Sequence, residues 1–313
     1  MTRTGPMHRG TVRASLVRTG LAAAAGALAA RGVNALRETA AQRFPDLVRE
    51  NHAGAPVSLL EGPAQTAGLL AACVLAPGGR VRAACLLAVG ASGALGANDD
   101  FHETGSSKGL RGHLSALARG EVTTGALKVI GIPVASVAAC ALLRRDAQTV
   151  LGRACDAVLA GGVVAGTANL MNLFDLRPGR ALKAAGVILG LQTAASALPG
   201  GTVGTSGAGT GAGGTGTVPA QARSASAVLA GGVLGTAGVL LPDDLAGRSM
   251  LGDTGANALG AALGLRSALT ASRGRLVCEL AVLAALTLAS EKVSFTRVIE
   301  STPGLRELDA LGR

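Results

Sequence analysis

The sequence predicts an all-α fold, a polytopic transmembrane helical bundle with about nine spans and a tolerance of eight to ten. Three observations carry this expectation. The chain of 313 residues is 49% hydrophobic and only 15% charged, and its mean hydropathy is +0.43, too apolar for an ordinary water-soluble domain of this size. Apolar runs recur from end to end, bounded by charge or by Gly and Pro. Those runs consist mostly of Ala, Gly, Val and Leu, so each is only modestly hydrophobic and its ends are soft by several residues. Trp and Tyr are absent and only four Phe occur, so the aromatic belts that often mark membrane interfaces are missing.

Taken in order, the expected spans lie near 16–33, 63–77, 82–97, 128–143, 151–170, 183–199, 224–241, 254–270 and 275–290. Arg3, Arg9, Arg13 and Arg18 precede the first run in the manner of a signal peptide. Because further spans follow throughout, an uncleaved first helix is the better reading. The stretch 200–223 is a low-complexity Gly/Thr tract with no packing pattern, expected to be a flexible surface loop. The tail 291–313 has an amphipathic look and is expected on the cytosolic membrane face. Residues 1–313 therefore read as a single integral membrane domain. Lys108, Lys128, Lys183 and Lys292 all fall on the side that holds loops 34–62, 98–127, 171–182 and 242–253 and the tail. By the positive-inside rule this side is cytosolic, in a multi-pass protein of the plasma membrane.

Other classes fit less well. Cys73, Cys85, Cys140, Cys155 and Cys278 are odd in number, lie in or beside apolar runs and lack C-x-x-C spacing, so they read as small core hydrophobes. The net charge of +10 is scattered between spans with no aromatic interleaving, which excludes nucleic acid and favours membrane lipids and phosphate-bearing ligands as partners. A solute transporter would show an internal repeat or paired broken helices, and the acids here sit at span ends.

Acids are costly near hydrocarbon, so those at span ends are functional candidates. Asp99 and Asp100 follow one span, Asp175 follows another, and Asp253 opens a third. Two spans separate each of these positions from the next, so all open toward one membrane face. Converging carboxylates suit a hard cation such as Mg²⁺. The glycines around Asp253 allow close approach to a ligand at a helix start. Asn169 and Asn172 flank Asp175 at helical spacing as possible donors to phosphate or ribose. Asp243 and Asp244, after Pro242, read as a loop start or helix cap. Such a set points to phosphoryl transfer.

Four motifs then carry a resemblance. Gly96-Ala-Asn-Asp99-Asp100 with Lys108-Gly-Leu resembles the D-D and K-G-L motifs of phospho-N-acetylmuramoyl-pentapeptide transferase and its relatives. Asn169-Leu-Met-Asn172-Leu-Phe-Asp175 is similar to their N-x-x-N-x-x-D loop, and Met250-Leu-Gly252-Asp253-Thr-Gly255 to their M-G-D-x-G-S motif. Asn51-His-Ala-Gly54-Ala-Pro56 is similar to their first cytosolic loop. The order holds from about residue 34 to 290, which marks a divergent member of the polyprenyl-phosphate N-acetylhexosamine-1-phosphate transferase superfamily, glycosyltransferase family 4.

The resemblance implies a Mg²⁺-dependent phosphoglycosyltransferase of cell-envelope or peptidoglycan biosynthesis. It would move a sugar-1-phosphate from a UDP-sugar to a polyprenyl phosphate and release UMP. Asp253 is implied as the metal ligand, Asp99, Asp100 and Asp175 as catalytic residues, and Asn51, Lys108, Asn169, Asn172 and Arg177 as substrate-binding residues; a homodimer stays open. The chain departs from the family where G-x-D-G-L is replaced by Leu176-Arg177-Pro178-Gly179-Arg180, where Ala256 replaces a Ser, and where a late histidine-rich loop has no match. These departures keep one alternative in view, a non-catalytic relative that binds polyprenyl phosphate or a partner membrane protein.

Overall fold

The computed structural model describes residues 6–50, 54–102, 119–120, 123–143, 149–197 and 220–312. Helix α1 (Pro6–Asn34) and short α2 (Arg37–Arg43) lead through a single 3-10 turn into strands β1 (Val48–Glu50) and β2 (Pro56–Ser58). The bundle continues with α3 (Glu61–Val74), α4 (Gly79–His102), α5 (Thr124–Leu143), α6 (Val150–Phe174) and α7 (Arg180–Ala197). It closes with α8 (Ala220–Leu245), α9 (Gly252–Thr270) and α10 (Arg273–Ser290), and the tail carries α11 (Phe295–Ser301) and α12 (Leu305–Ala310).

Each of the nine expected spans falls on a helix. Among the described residues, however, only α4, α5, α6 and α8 are long and apolar enough to cross a membrane on their own composition. The physical reasons differ. The 14 residues of α3 extend about 21 Å, short of a hydrocarbon core of about 30 Å. Arg180 and Lys183 dilute one end of α7, and Arg273, Arg275 and Glu279 dilute α10. Helix α9 is a different case, because every one of its residues except Asp253 is buried by protein. A helix sheltered on all sides has no need of a lipid-compatible surface.

Close backbone packing gives α9 that position. A Cβ on Gly260 would lie 2.4 Å from the Thr167 carbonyl oxygen of α6, and one on Gly264 would lie 2.6 Å from Val164 Cα. Small residues spaced in this way let helix axes approach closely, the favoured device for helix association in membranes. The first helix is tied in likewise, since Gly231 and Gly235 of α8 approach the backbone at Thr19 and Ala23 of α1. Other large apolar side chains point outward: Leu21, Leu28, Val134, Leu191, Leu234, Val282 and Leu288 are each more than half exposed. An apolar outer layer of Leu and Val over a closely packed interior fits a hydrocarbon surround.

Several local expectations are corrected. Residues 220–223 form the first turn of α8, not a loop, and the rest of the Gly/Thr tract, 200–219, lies outside the described residues. Pro242 lies inside α8, so Asp243 and Asp244 belong to its last turn and start no loop. The first loop holds an antiparallel strand pair with Val48 opposite Ser58. Of the five cysteines, Cys73, Cys85 and Cys140 are buried as expected, whereas Cys155 and Cys278 are exposed.

Candidate active site

The ends of α3, α4, α5, α6, α8 and α9 meet at one end of the bundle, and the acidic residues meet there with them. Asp100, in the last turn of α4, accepts hydrogen bonds from the backbone N–H groups of Asp253 at 2.9 Å and Thr254 at 2.8 Å. It also accepts from the Thr254 hydroxyl at 2.5 Å. The first N–H groups of a helix lack partners within it. Leu251, at the cap position of α9, supplies no side-chain bond, and the carboxylate of a different helix takes over that role. Gly252 is required here on two counts: its φ of 57° is left-handed, and a Cβ would stand 3.0 Å from both Asp100 oxygens.

Asp99 and Asp253 form ion pairs with one cation, Lys128 in the first turn of α5. Their carboxyl groups also lie within hydrogen-bonding reach of each other. Gly96 makes this approach feasible, since a Cβ there would sit 2.3 Å from the Asp253 carbonyl oxygen. Asp175 closes α6 and accepts from the Gly252 N–H, while its Oδ2 is buried with no hydrogen-bond partner among the described residues. Burial, and then the neighbouring Asp244 carboxylate, push the Asp175 carboxyl well above its ordinary range.

Two acids that the motifs did not single out join this group. Glu61 opens α3, is fully buried, and accepts from the Ser249 hydroxyl at 2.5 Å. Asp244 is 1% exposed and lies close enough to act electrostatically on both Glu61 and Asp175. Asp99, Asp175, Asp244 and Glu61 are thus all less than a tenth exposed. So much buried negative charge in one region favours cations and protons over further anions. Asp243 faces outward to Arg37, Arg248 and Asn34.

The remaining expected residues divide. Asn51 and Lys108 lie outside the described residues. Asn169 donates to Thr287 of α10 at 3.1 Å, a contact between helices. Asn172 is half-buried one turn before Asp175. Arg177 pairs with Glu300 of the tail at 3.0 Å. Its neighbour Arg180 is buried and holds Asp309 with two bonds of 2.8 and 2.9 Å, and it reaches Thr296 at 2.8 Å. Phe174 meets Phe295 with ring centroids 5.9 Å apart. The cations that replace the expected acidic loop therefore fasten the C-terminal segment.

No three Asp, Glu, His or Cys side chains among the described residues form a ready metal cage. Mg²⁺ usually takes one or two carboxylates and completes its shell with water and phosphate oxygens. Asp253, whose side chain is 20% exposed, and Asp99 are the residues that could serve in that way. No known protein-family model matches the sequence, and no curated protein matches it. The functional reading therefore rests on the motifs and on this geometry.

Proposed function

We propose that the protein is a membrane phosphoglycosyltransferase that moves a sugar-1-phosphate from a UDP-sugar to a polyprenyl phosphate and releases UMP. The observation that carries the reading is the meeting of Asp99, Asp100, Asp175 and Asp253 at one end of the bundle, where Lys128 pairs with Asp99 and Asp253 and the other two hold the start of α9. These acids come from three different helices, and their types and order follow the motifs of the transferase superfamily. In this reading the site end faces the cytosol of a plasma-membrane protein, and all nine helices named as spans lie in the bilayer.

Bound Mg²⁺, held by Asp253, would neutralise pyrophosphate charge and polarise the bond that breaks. Lys128 is placed to bind a phosphate oxygen once Asp253 is engaged elsewhere. Asp99 is placed to orient or deprotonate the attacking lipid phosphate. Asp100 holds the start of α9, and with it the backbone of Asp253, in register. Asp175 fixes Gly252 from the other side.

A second reading has its own support. Asp100 is occupied as a helix cap, and Arg177 and Arg180 are occupied by the tail. A relative that binds polyprenyl phosphate or a partner membrane protein without transfer would keep these structural contacts.

The test is UMP release by purified protein in detergent, with Mg²⁺, polyprenyl phosphate and a panel of UDP-sugars, beside Asp253→Asn. Release that the substitution abolishes supports the transferase. A folded protein that binds polyprenyl phosphate but releases no UMP from any donor supports the second reading.

A further inference from the structure

From the middle of the bundle toward the end opposite the acids, a cavity of about 400 Å³ opens between α6, α7, α9 and α10. That volume lies within the range of about 300–1,000 Å³ typical of small-molecule sites. Its walls are mainly hydrocarbon, including Leu170, Ile188, Leu191 and Leu283, while Gln192, Ser267, Arg275 and Glu279 add polar groups. Leu191 is 65% exposed, so the cavity has a lateral mouth on the surface that faces lipid.

The polar groups are unbalanced in charge. Arg266 lies behind the lining residue Gln192; it is 8% exposed and donates at 2.9 Å to two neutral acceptors, Gln192 Oε1 and Thr193 Oγ1. Its Nε has no partner among the described residues. Arg275 donates from Nε to Glu279 at 2.7 Å, but its buried NH1 nitrogen likewise has no partner among the described residues. The two guanidinium groups are close enough to repel each other. Gln192 is itself held by Leu263 O and Ser267 at 3.0 Å, so this shell is fixed in place. The nearby Arg273 differs, because Asp156 neutralises it through two bonds of 2.6 and 2.7 Å.

A guanidinium–carboxylate pair in the wall, Arg275 with Glu279, and a second guanidinium with no carboxylate partner behind Gln192 leave net positive charge beside a hydrocarbon slot, which matches an amphiphile with an anionic head. Arg266 lies thirteen residues beyond Asp253, about 20 Å along α9, so this place is separate from the acidic end. We propose that the cavity holds one acyl chain of an anionic phospholipid, with the headgroup phosphate at the Arg275 guanidinium and the positive charge of Arg266 standing behind it. The proposal rests on placement of the helices in a bilayer and not on the transferase reading. Phosphate bound by guanidinium gains charge-assisted hydrogen bonds, and the site would act as a structural lipid seat in the leaflet opposite the acidic end.

Native mass spectrometry of the full chain in detergent tests this, with phosphatidylglycerol and phosphatidylcholine of identical acyl chains titrated separately. The expected result is one retained phosphatidylglycerol, preferred over phosphatidylcholine by roughly tenfold or more. Arg275→Gln and Arg266→Gln should each erase most of that preference. Leu191→Trp should block the mouth and lower retention without touching either guanidinium, which guards against a misfolded arginine variant. Equal retention of the two lipids by the wild type would overturn the proposal. So would phosphatidylglycerol retention unchanged in all three folded variants, or oleate binding as tightly as phosphatidylglycerol with the same sensitivity to them.

Discussion

Asp100 and Thr254, 154 positions apart in sequence, are joined twice: the Asp100 carboxylate accepts both the backbone N–H and the hydroxyl of Thr254. A side chain at the C-terminal end of α4 thereby caps the N-terminal end of α9. The pairing also suits the helix dipoles, because a carboxylate is unfavourable at the end of its own helix and favourable at the start of the other.

Asp100→Asn should therefore weaken the fold as well as any activity. The amide keeps the shape but loses the charge and one acceptor, at a cost of about 1–3 kcal/mol. Thermal unfolding in detergent would show a lower Tm than for the wild type. An unchanged Tm would mean that the cap is dispensable.

Lys128→Gln leaves Asp99 and Asp253 facing each other without their shared cation. Removing one partner from a buried ion pair costs about 3–5 kcal/mol. If the acids can accept a divalent ion in place of the ammonium, millimolar Mg²⁺ should raise the Tm of this variant more than that of the wild type. Adding Asp253→Asn should remove the difference. Equal Mg²⁺ shifts in all three proteins would count against a cation site there.

Arg180→Ala should release the tail. Its partner Asp309 is 8% exposed and bound bidentately, so the loss is about 3–5 kcal/mol for the tail contact. Limited trypsin digestion would then cut at Arg297 and Arg306 sooner than in the wild type. Equal digestion rates would show that Phe295 and Arg177 suffice to hold the segment.

Gly96→Ala places a methyl 2.3 Å from the Asp253 carbonyl oxygen. Overpacking of this kind costs about 1–3 kcal/mol. The expected readouts are a lower Tm and, because α4 and α9 must separate, a smaller response of the Tm to Mg²⁺. A variant that matches the wild type in both would show that the two helices tolerate a wider spacing.

The pH response of stability should carry a signature of Asp175. Burial and the Asp244 charge raise its carboxyl above the ordinary value, so the folded state binds more protons than the unfolded state across that window. Its contribution to stability is therefore present at low pH and declines as pH rises through the window. In EDTA, Asp175→Asn should flatten that decline in a Tm series; an identical slope would mean that Asp175 is ionised without penalty.

The positions of the helices were legible in the sequence because hydrophobic runs are a local property. The roles of those helices were not. Span 254–270 reads like its neighbours, yet α9 occupies the centre because glycines at 255, 260 and 264 meet small surfaces on α3 and α6, and no local pattern reveals which helices will meet. Within the site, Asp99, Asp175 and Asp253 were visible as acids at span ends. Lys128 reads in the sequence only as a basic residue at a helix end, although in the fold it is the shared partner of Asp99 and Asp253. After Pro242 the sequence reads Asp243 and Asp244 alike, as a loop start or helix cap; inside a helix, adjacent residues face different ways, one toward Glu61 and the other toward solvent-side arginines. Arg177 reads in the sequence as a substrate-binding residue and Arg180 as part of the departure from the family motif, and only the fold brings Glu300 and Asp309 to meet them.

The central place of α9 also sets an order of assembly. Helices α3, α4 and α6 are synthesised well before the segment that fills the space among them, so their inward glycines and small side chains must wait for a distant part of the chain. Contacts of such long sequence separation form slowly. Until α9 arrives, Asp99 and Asp175 have no Asp253 or Gly252 to face. The acidic end therefore cannot form until α9 has been made, and a chain that stops short of α9 cannot present it.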